Sequence, residues 1–129
     1  GLSCAIKLGK LSRATVMLPG GRLNRYSQSI CGISSVRELE RVNFYQAFLG
    51  VSGYHSQAGF TCGISEEAFL KQTAIQQADQ VIVLMDSSKV DIKTSFSICG
   101  LKQVDVIVSD GNLPEEFLVE CRESGVRVL

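Results

Sequence analysis

The sequence comprises 129 residues, 45% hydrophobic and 20% charged with two prolines, which fits one cored domain and excludes disorder or collagen-like repeats. Thirteen Lys and Arg offset thirteen Asp and Glu. The basic excess that usually grips a nucleic-acid backbone is missing, so these residues are not expected to bind DNA or RNA directly. No apolar run reaches the ~18–20 residues that cross a bilayer, and no basic–apolar–small signal pattern occurs.

In chain order, helical spacing covers the opening residues to about Leu11. Thr15–Leu18 then reads as the first of five short, β-branched, buried strands. A helix is predicted over Ser34–Arg41 and a strand over Tyr45–Val51. Glu66–Ala78 carries Phe69, Leu70, Thr73, Ala74 and Gln77 near a 3.6 period, with Ser65 as N-cap and acidic residues behind it. Strands at Val81–Met85 and Val104–Val108 follow. Pro114–Ser124 is predicted helical, with proline in the first turn, Glu115 and Glu116 at the positive dipole end and Gly125 at the stop. Val126–Leu129 closes the chain as a strand. Helices and strands alternate, so the expected fold class is α/β, a mostly parallel sheet flanked by helices.

The five cysteines (Cys4, Cys31, Cys62, Cys99, Cys121) are odd in number, spread out and never in a C-x-x-C pair. They read as reduced, buried or half-buried thiols of a cytoplasmic protein, with no metal site. The absence of an initiator Met predicts a fragment of a longer chain.

Open α/β sheets bind ligands beyond the carboxyl ends of their strands. The segments following four of the predicted strands carry glycine, hydroxyl and charge. Pro19-Gly20-Gly21-Arg22 follows the first. Gly50 to Gly59, with Ser52, Gly53, Tyr54 and His55 inside it, follows the second. Asp86-Ser87-Ser88-Lys89 and Ser109-Asp110-Gly111-Asn112 follow the others. Glycine turns let backbone N–H groups approach an anion, with Ser52 and Thr61 as hydroxyl donors, or they merely permit tight turns. Lys71 lies one turn after Glu67, either a site pair or an exposed ion pair. Lys89 is suited to a phosphate or is a simple surface lysine. His55, the one histidine, is a ligand contact, a plain loop residue or a base. Asp110 orients a hydroxyl or caps the next helix. Arg22 and Arg25 grip an anion or a neighbouring subunit, or are solvated.

The ordered set Leu18-Pro19-Gly20-Gly21-Arg22-Leu23, Ala47 to His55, Gly59-Phe60-Thr61, Glu66-Glu67-Ala68, Lys71, Asp86-Ser87-Ser88-Lys89 and Val104 to Asp110 resembles the effector-sensing domain of DeoR-family bacterial transcriptional regulators. That resemblance covers essentially the whole chain. It implies a fold similar to ribose-5-phosphate isomerase and CoA-transferase-like proteins, lacking its leading strands. It also implies a phosphorylated-sugar effector, no cofactor, and homo-oligomeric assembly. Operator DNA would be bound only through a winged helix-turn-helix absent from these residues. The family's early Asp-x-Gly-Ser/Thr-Thr loop is absent too. Ser52 and His55 stand where the isomerase carries catalytic aspartates, Lys71 aligns with its catalytic glutamate, and Lys89 matches its Asp-Ala-Ser-Lys lysine. Sugar-phosphate isomerisation needs a base within reach of the carbon, so this exchange predicts binding without catalysis. An isomerase or deaminase using His55 or Glu67 as base is the alternative, and an oligomerisation unit a third reading.

Overall fold

A computed structural model describes residues 1–129. Helix α1 (Leu2–Leu11) opens the chain, and the strands β1 (Arg22–Asn24) and β2 (Ser29–Cys31) form an antiparallel hairpin. Then come α2 (Ile33–Leu39), β3 (Phe44–Gly50), β4 (Gly53–His55), β5 (Gly59–Cys62) and α3 (Ser65–Gln77). The second half holds β6 (Ala78–Leu84), β7 (Phe96–Cys99), β8 (Val106–Val108), α4 (Glu115–Glu123) and β9 (Arg127–Val128). Strands β3, β6, β8 and β9 make a parallel sheet in the order β3-β6-β8-β9, and β4, β5 and β7 make a second, antiparallel sheet. The expected α/β class, with a mostly parallel sheet and flanking helices, is the one observed.

One core unites the two sheets. Leu49, Val83 and Ile107 share a row on the parallel sheet and pack with Tyr54, Phe60 and Ile98 of the small sheet, Ala68 and Ile75 of α3, and Phe117 and Cys121 of α4. The opposite face of the parallel sheet carries Phe48, Ile82 and Val106 in one row. Ile82 and Val106 are buried while Phe48 is 60% exposed. Four cysteines are buried, Cys4 is exposed, and all are free thiols.

Four local expectations are corrected. Thr15–Leu18 is not a strand: its composition suits one, but β1 and β2 pair with each other and leave it no hydrogen-bonding neighbour. The glycine-containing stretch after β3 is not a loop but the β4–β5 hairpin, and β7 was also unforeseen. These strands are only three or four residues long, below the length at which alternation is legible. Pro19-Gly20-Gly21 therefore follows no strand; it lies against α2, where the Ser35 hydroxyl donates to the Gly20 carbonyl at 2.5 Å. Lastly, the N-cap of α3 is Ile64, with Ser65 already inside the helix and no side chain capping it.

The buried face of α3 also differs from the one read from its period. Ala68, Thr73 and Ile75 are buried, whereas Phe69 is 62% exposed. The helix is wedged among β2, β3, β5, β6, β7 and α2, so contacts surround it and no single stripe defines its inside. By contrast α4 stops as expected, with Gly125 at φ +76 in the left-handed region favoured just past a helix end.

Two glycines separate backbone strain from steric clash. Gly111 has φ +80 with open space where a Cβ would stand, while Gly59 has φ +69 and a Cβ there would lie 2.3 Å from the Cys99 carbonyl oxygen. Gly111→Ala should cost about 1–2 kcal/mol from conformation alone. Gly59→Ala should cost clearly more, since the β5–β7 pairing must also move; urea denaturation of the two variants measures the difference.

Candidate functional site

The parallel register places Gly50, Leu84 and Val108 abreast at the carboxyl ends of β3, β6 and β8. The loops leaving these residues are sewn together. The Ser87 backbone N–H and hydroxyl donate to the two Asp110 carboxylate oxygens at 3.2 and 3.0 Å, joining the loop after β6 to the loop after β8. Asp86 caps its own short helical turn, Ser87–Lys89, by accepting from the Ser88 N–H at 3.0 Å and from its hydroxyl. The Ser88 hydroxyl is the main reason the Asp86 carboxyl titrates below its ordinary range. Desolvation works against ionisation of Asp110, but hydrogen bonds from Asn112, Ser87 and Ser109 prevail and lower it too. Val90 forms a bridge to Tyr54, so Lys89 sits one residue from the small sheet. Lys89 is half-buried and forms no ion pair.

A cavity of about 470 Å³ opens where β3 ends, lined by Gly50, Ser52, Glu67, Lys71, Ser27 and Ser29 over an apolar floor that includes Leu49, Leu70 and Ala74. Glu67 is the centre of its polar chemistry. Its side chain is 13% exposed and the Lys71 ammonium stands 3.8 Å from Oε2. The Ser27 and Ser29 hydroxyls both approach Oε1, the latter at 2.6 Å. Burial alone would raise the carboxyl pKa, but the two hydroxyls and Lys71 outweigh it and hold it below the usual carboxylate range. The cavity thus presents an ionised acceptor and a cation side by side.

Of the residues expected at the site, Gly50, Ser52, Glu67 and Lys71 meet in this cavity, and Asp86 and Lys89 occupy the adjoining loop. The others lie elsewhere. Gly20 and Gly21 pack on α2, with the Gly20 N–H donating to Glu38 at 3.0 Å. Arg22 forms an ion pair with Glu66 at the start of α3. Thr61 is fully buried, donating to the Gly53 carbonyl at 3.3 Å and accepting from the Thr94 N–H at 3.1 Å, so its hydroxyl bridges the small sheet to the segment before β7. Gly53 has no room for a side chain beside Ile92.

Tyr54, His55 and Gly59 also belong to the small sheet. Tyr54 is buried, packs on Phe60 and Phe117, and donates its hydroxyl to Glu120 at 2.6 Å. Burial first, and Glu120 second, push the Tyr54 phenol upward. His55 Nδ1 accepts from the Gln57 N–H at 3.2 Å within the hairpin turn. Tyr54 and Gly59 border a separate cavity of about 610 Å³ with Gln57, Lys102, Glu120 and Glu123. That cavity is larger, yet it lies away from the carboxyl ends of the parallel strands and contains none of Gly50, Ser52, Glu67 or Lys71.

Ser27 and Ser29 were not among the expected residues. A turn signal does mark them: Asn24 accepts from the Tyr26 and Ser27 N–H groups at 2.9 and 3.2 Å, an Asx turn that begins the hairpin connection. The signal places a turn there. It does not reveal that the turn lands on α3.

Glu67, lowered by folding, should contribute stability that is present above the unfolded-state carboxyl pKa and lost as pH falls through the folded value. Wild type should therefore lose more stability than Glu67→Gln between about pH 6 and about pH 3, read from urea midpoints across that range.

A sequence profile of the family described as DeoR C terminal sensor domain matches residues 1–111. A protein of Escherichia coli O157:H7 named as an aga operon transcriptional repressor is 30% identical over 129 residues, 100% of this chain and 48% of its own length. The HTH-type transcriptional regulator GlpR of Haloferax volcanii is 29% identical over 114 residues, 88% of this chain and 45% of its own. The HTH-type transcriptional repressor GlcR of Bacillus subtilis is 30% identical over 115 residues, 88% and 44% of the two chains. The chain spans about half the length of these relatives.

Proposed function

The chain belongs to the DeoR C-terminal sensor domain family, and on that premise we propose that it is the effector-sensing domain of a cytoplasmic transcriptional regulator, a repressor of sugar utilisation. In this reading a phosphorylated sugar enters the cavity at the end of β3 and changes how a winged helix-turn-helix outside these residues holds operator DNA. Residues 1–129 act as one sensor domain. No helix is long and apolar enough to cross a membrane.

The observation that carries the reading is the pairing of Glu67 with Lys71 inside a cavity at the carboxyl edge of a parallel sheet. Sugar hydroxyls are donors and suit an ionised carboxylate; a phosphate suits a cation. Lys71 is already paired with Glu67, whereas Lys89 forms no ion pair and feels Asp86 only at longer range. The phosphate therefore belongs with the Lys89 ammonium, and the hydroxyls with Glu67. Gly50 and Ser52 line the cavity beside Glu67.

Catalysis is the weaker reading because a carboxylate held below its ordinary pKa is a poor base. Assembly fits the open edge of β3, where Tyr45 and Phe48 are 78% and 60% exposed. We expect a homo-oligomer, and a stable monomer by sedimentation would count against that part.

The test is calorimetric titration with a panel of hexose phosphates and the free hexoses. One phosphorylated sugar should bind, and Lys89→Ala should weaken it by about tenfold or more, the worth of a charge-assisted hydrogen bond. The free hexose should lose little. Equal loss for both would remove Lys89 from phosphate recognition, and sustained product formation would replace sensing with catalysis.

A further inference from the structure

The β1–β2 hairpin reaches the first turn of α3 at two successive carboxylates. Arg22 pairs with Glu66, and Ser27 and Ser29 close on Glu67. Ser27 belongs to the turn and Ser29 opens β2, so their spacing is held by the hairpin rather than by α3. The two serine oxygens are 2.7 Å apart and both contact Oε1 of Glu67. Three contacts share two hydroxyl protons, since each serine donates once. A carboxylate is the strongest acceptor of the three, so both protons go to Oε1 and the serine–serine approach is left without one.

The two carboxylate oxygens are therefore unequal. Oε1 is saturated by the hairpin. Oε2 faces Lys71 at 3.8 Å, beyond hydrogen-bond length, and no other donor reaches it. From this asymmetry we infer that Ser27 and Ser29 are positioning residues of the ligand site: they hold Glu67 by one oxygen so that the other is offered to a hydroxyl of the ligand.

Resting on the sugar-phosphate reading, this assigns the ligand a hydroxyl donor near Lys71, on the side of the cavity away from its phosphate. A ligand with acceptors only at that point can use the Lys71 ammonium but leaves the open oxygen of Glu67 without a donor. The hairpin thus takes part in choosing the ligand, although its serines need not touch it.

The charged and titratable side chains around Glu67 are Lys71 on α3, the Arg22–Glu66 pair and the Cys31 thiol. None of them is altered by removing a serine hydroxyl. The test compares wild type, the Ser27→Ala/Ser29→Ala double variant and Ser29→Thr, each 13C-labelled at glutamate. The Glu67 carboxyl resonance is identified by its loss in Glu67→Gln.

The titration midpoint of Glu67 should rise in the double alanine variant and stay low in Ser29→Thr, which keeps a hydroxyl. The same proteins are titrated with hexose phosphates and with inorganic phosphate. The double variant should lose about tenfold in hexose-phosphate affinity while its affinity for inorganic phosphate, which offers no sugar hydroxyl, is unchanged. An unmoved Glu67 midpoint, or undiminished hexose-phosphate binding, overturns the positioning role and leaves the functional reading standing. No hexose phosphate binding to wild type overturns the functional reading and the ligand assigned here, and the Glu67 midpoint still decides whether the serines position it.

Discussion

A carboxylate withdrawn from water has to be hydrogen-bonded, and Glu67 takes its hydroxyl donors from a hairpin forty residues upstream. Much of the local arrangement follows from that requirement. The hairpin must lie on α3, α2 must follow it closely, and the Gly20-Gly21 turn must fit between them. At Gly21 a Cβ would stand 2.3 Å from the Ser35 hydroxyl, so the fit leaves no room for a side chain. The glycine pair is best understood as a packing device that lets the hairpin reach the helix.

The parallel sheet supplies the other half of the arrangement. Because its strands are in register, three strand ends arrive at one level, and the loops after β6 and β8 bond to one another before any ligand is considered. A phosphate-suited lysine, an ionised glutamate and a glycine turn are brought to this edge from separate parts of the chain. The small antiparallel sheet shares the same core and carries the bridge from Tyr54 to Val90 that holds the Lys89 loop against β4. Tyr54, Gly53 and Thr61 thereby shape the edge through backbone and buried contacts rather than by offering groups to a ligand.

Under the sensing role proposed above, such a division separates what binding requires from what proton transfer would require. Shape at the edge depends on backbone approach and on buried bridges such as that of Thr61. Proton transfer would depend instead on a carboxylate with raised basicity. Here the serine hydroxyls push Glu67 the opposite way, toward a firmly ionised acceptor. That state suits reading a hydroxyl far better than removing a proton from carbon.

Composition, the apolar runs of β3, β6 and β8, and the capped pattern of α4 were sufficient to establish an α/β domain with a parallel sheet, because contiguous burial and helix-end chemistry are local properties. The same local reading located Gly50, Ser52 and Lys89 near one edge, since loops after parallel strands must gather there, but for Glu67 and Lys71, on a helix, it left an exposed ion pair open. It misjudged Thr15–Leu18, because a strand exists only where another strand meets it. It took β4 and β5 for a loop, because strands of three and four residues that each open on a glycine have no legible period. The partners of Glu67 could not be read at all: that Ser27 and Ser29 stand against Glu67 is a long-range packing fact, set by where a hairpin lands on a helix. Sequence determined which groups were available and at which edge; tertiary packing decided which oxygen of Glu67 is saturated and which is left open.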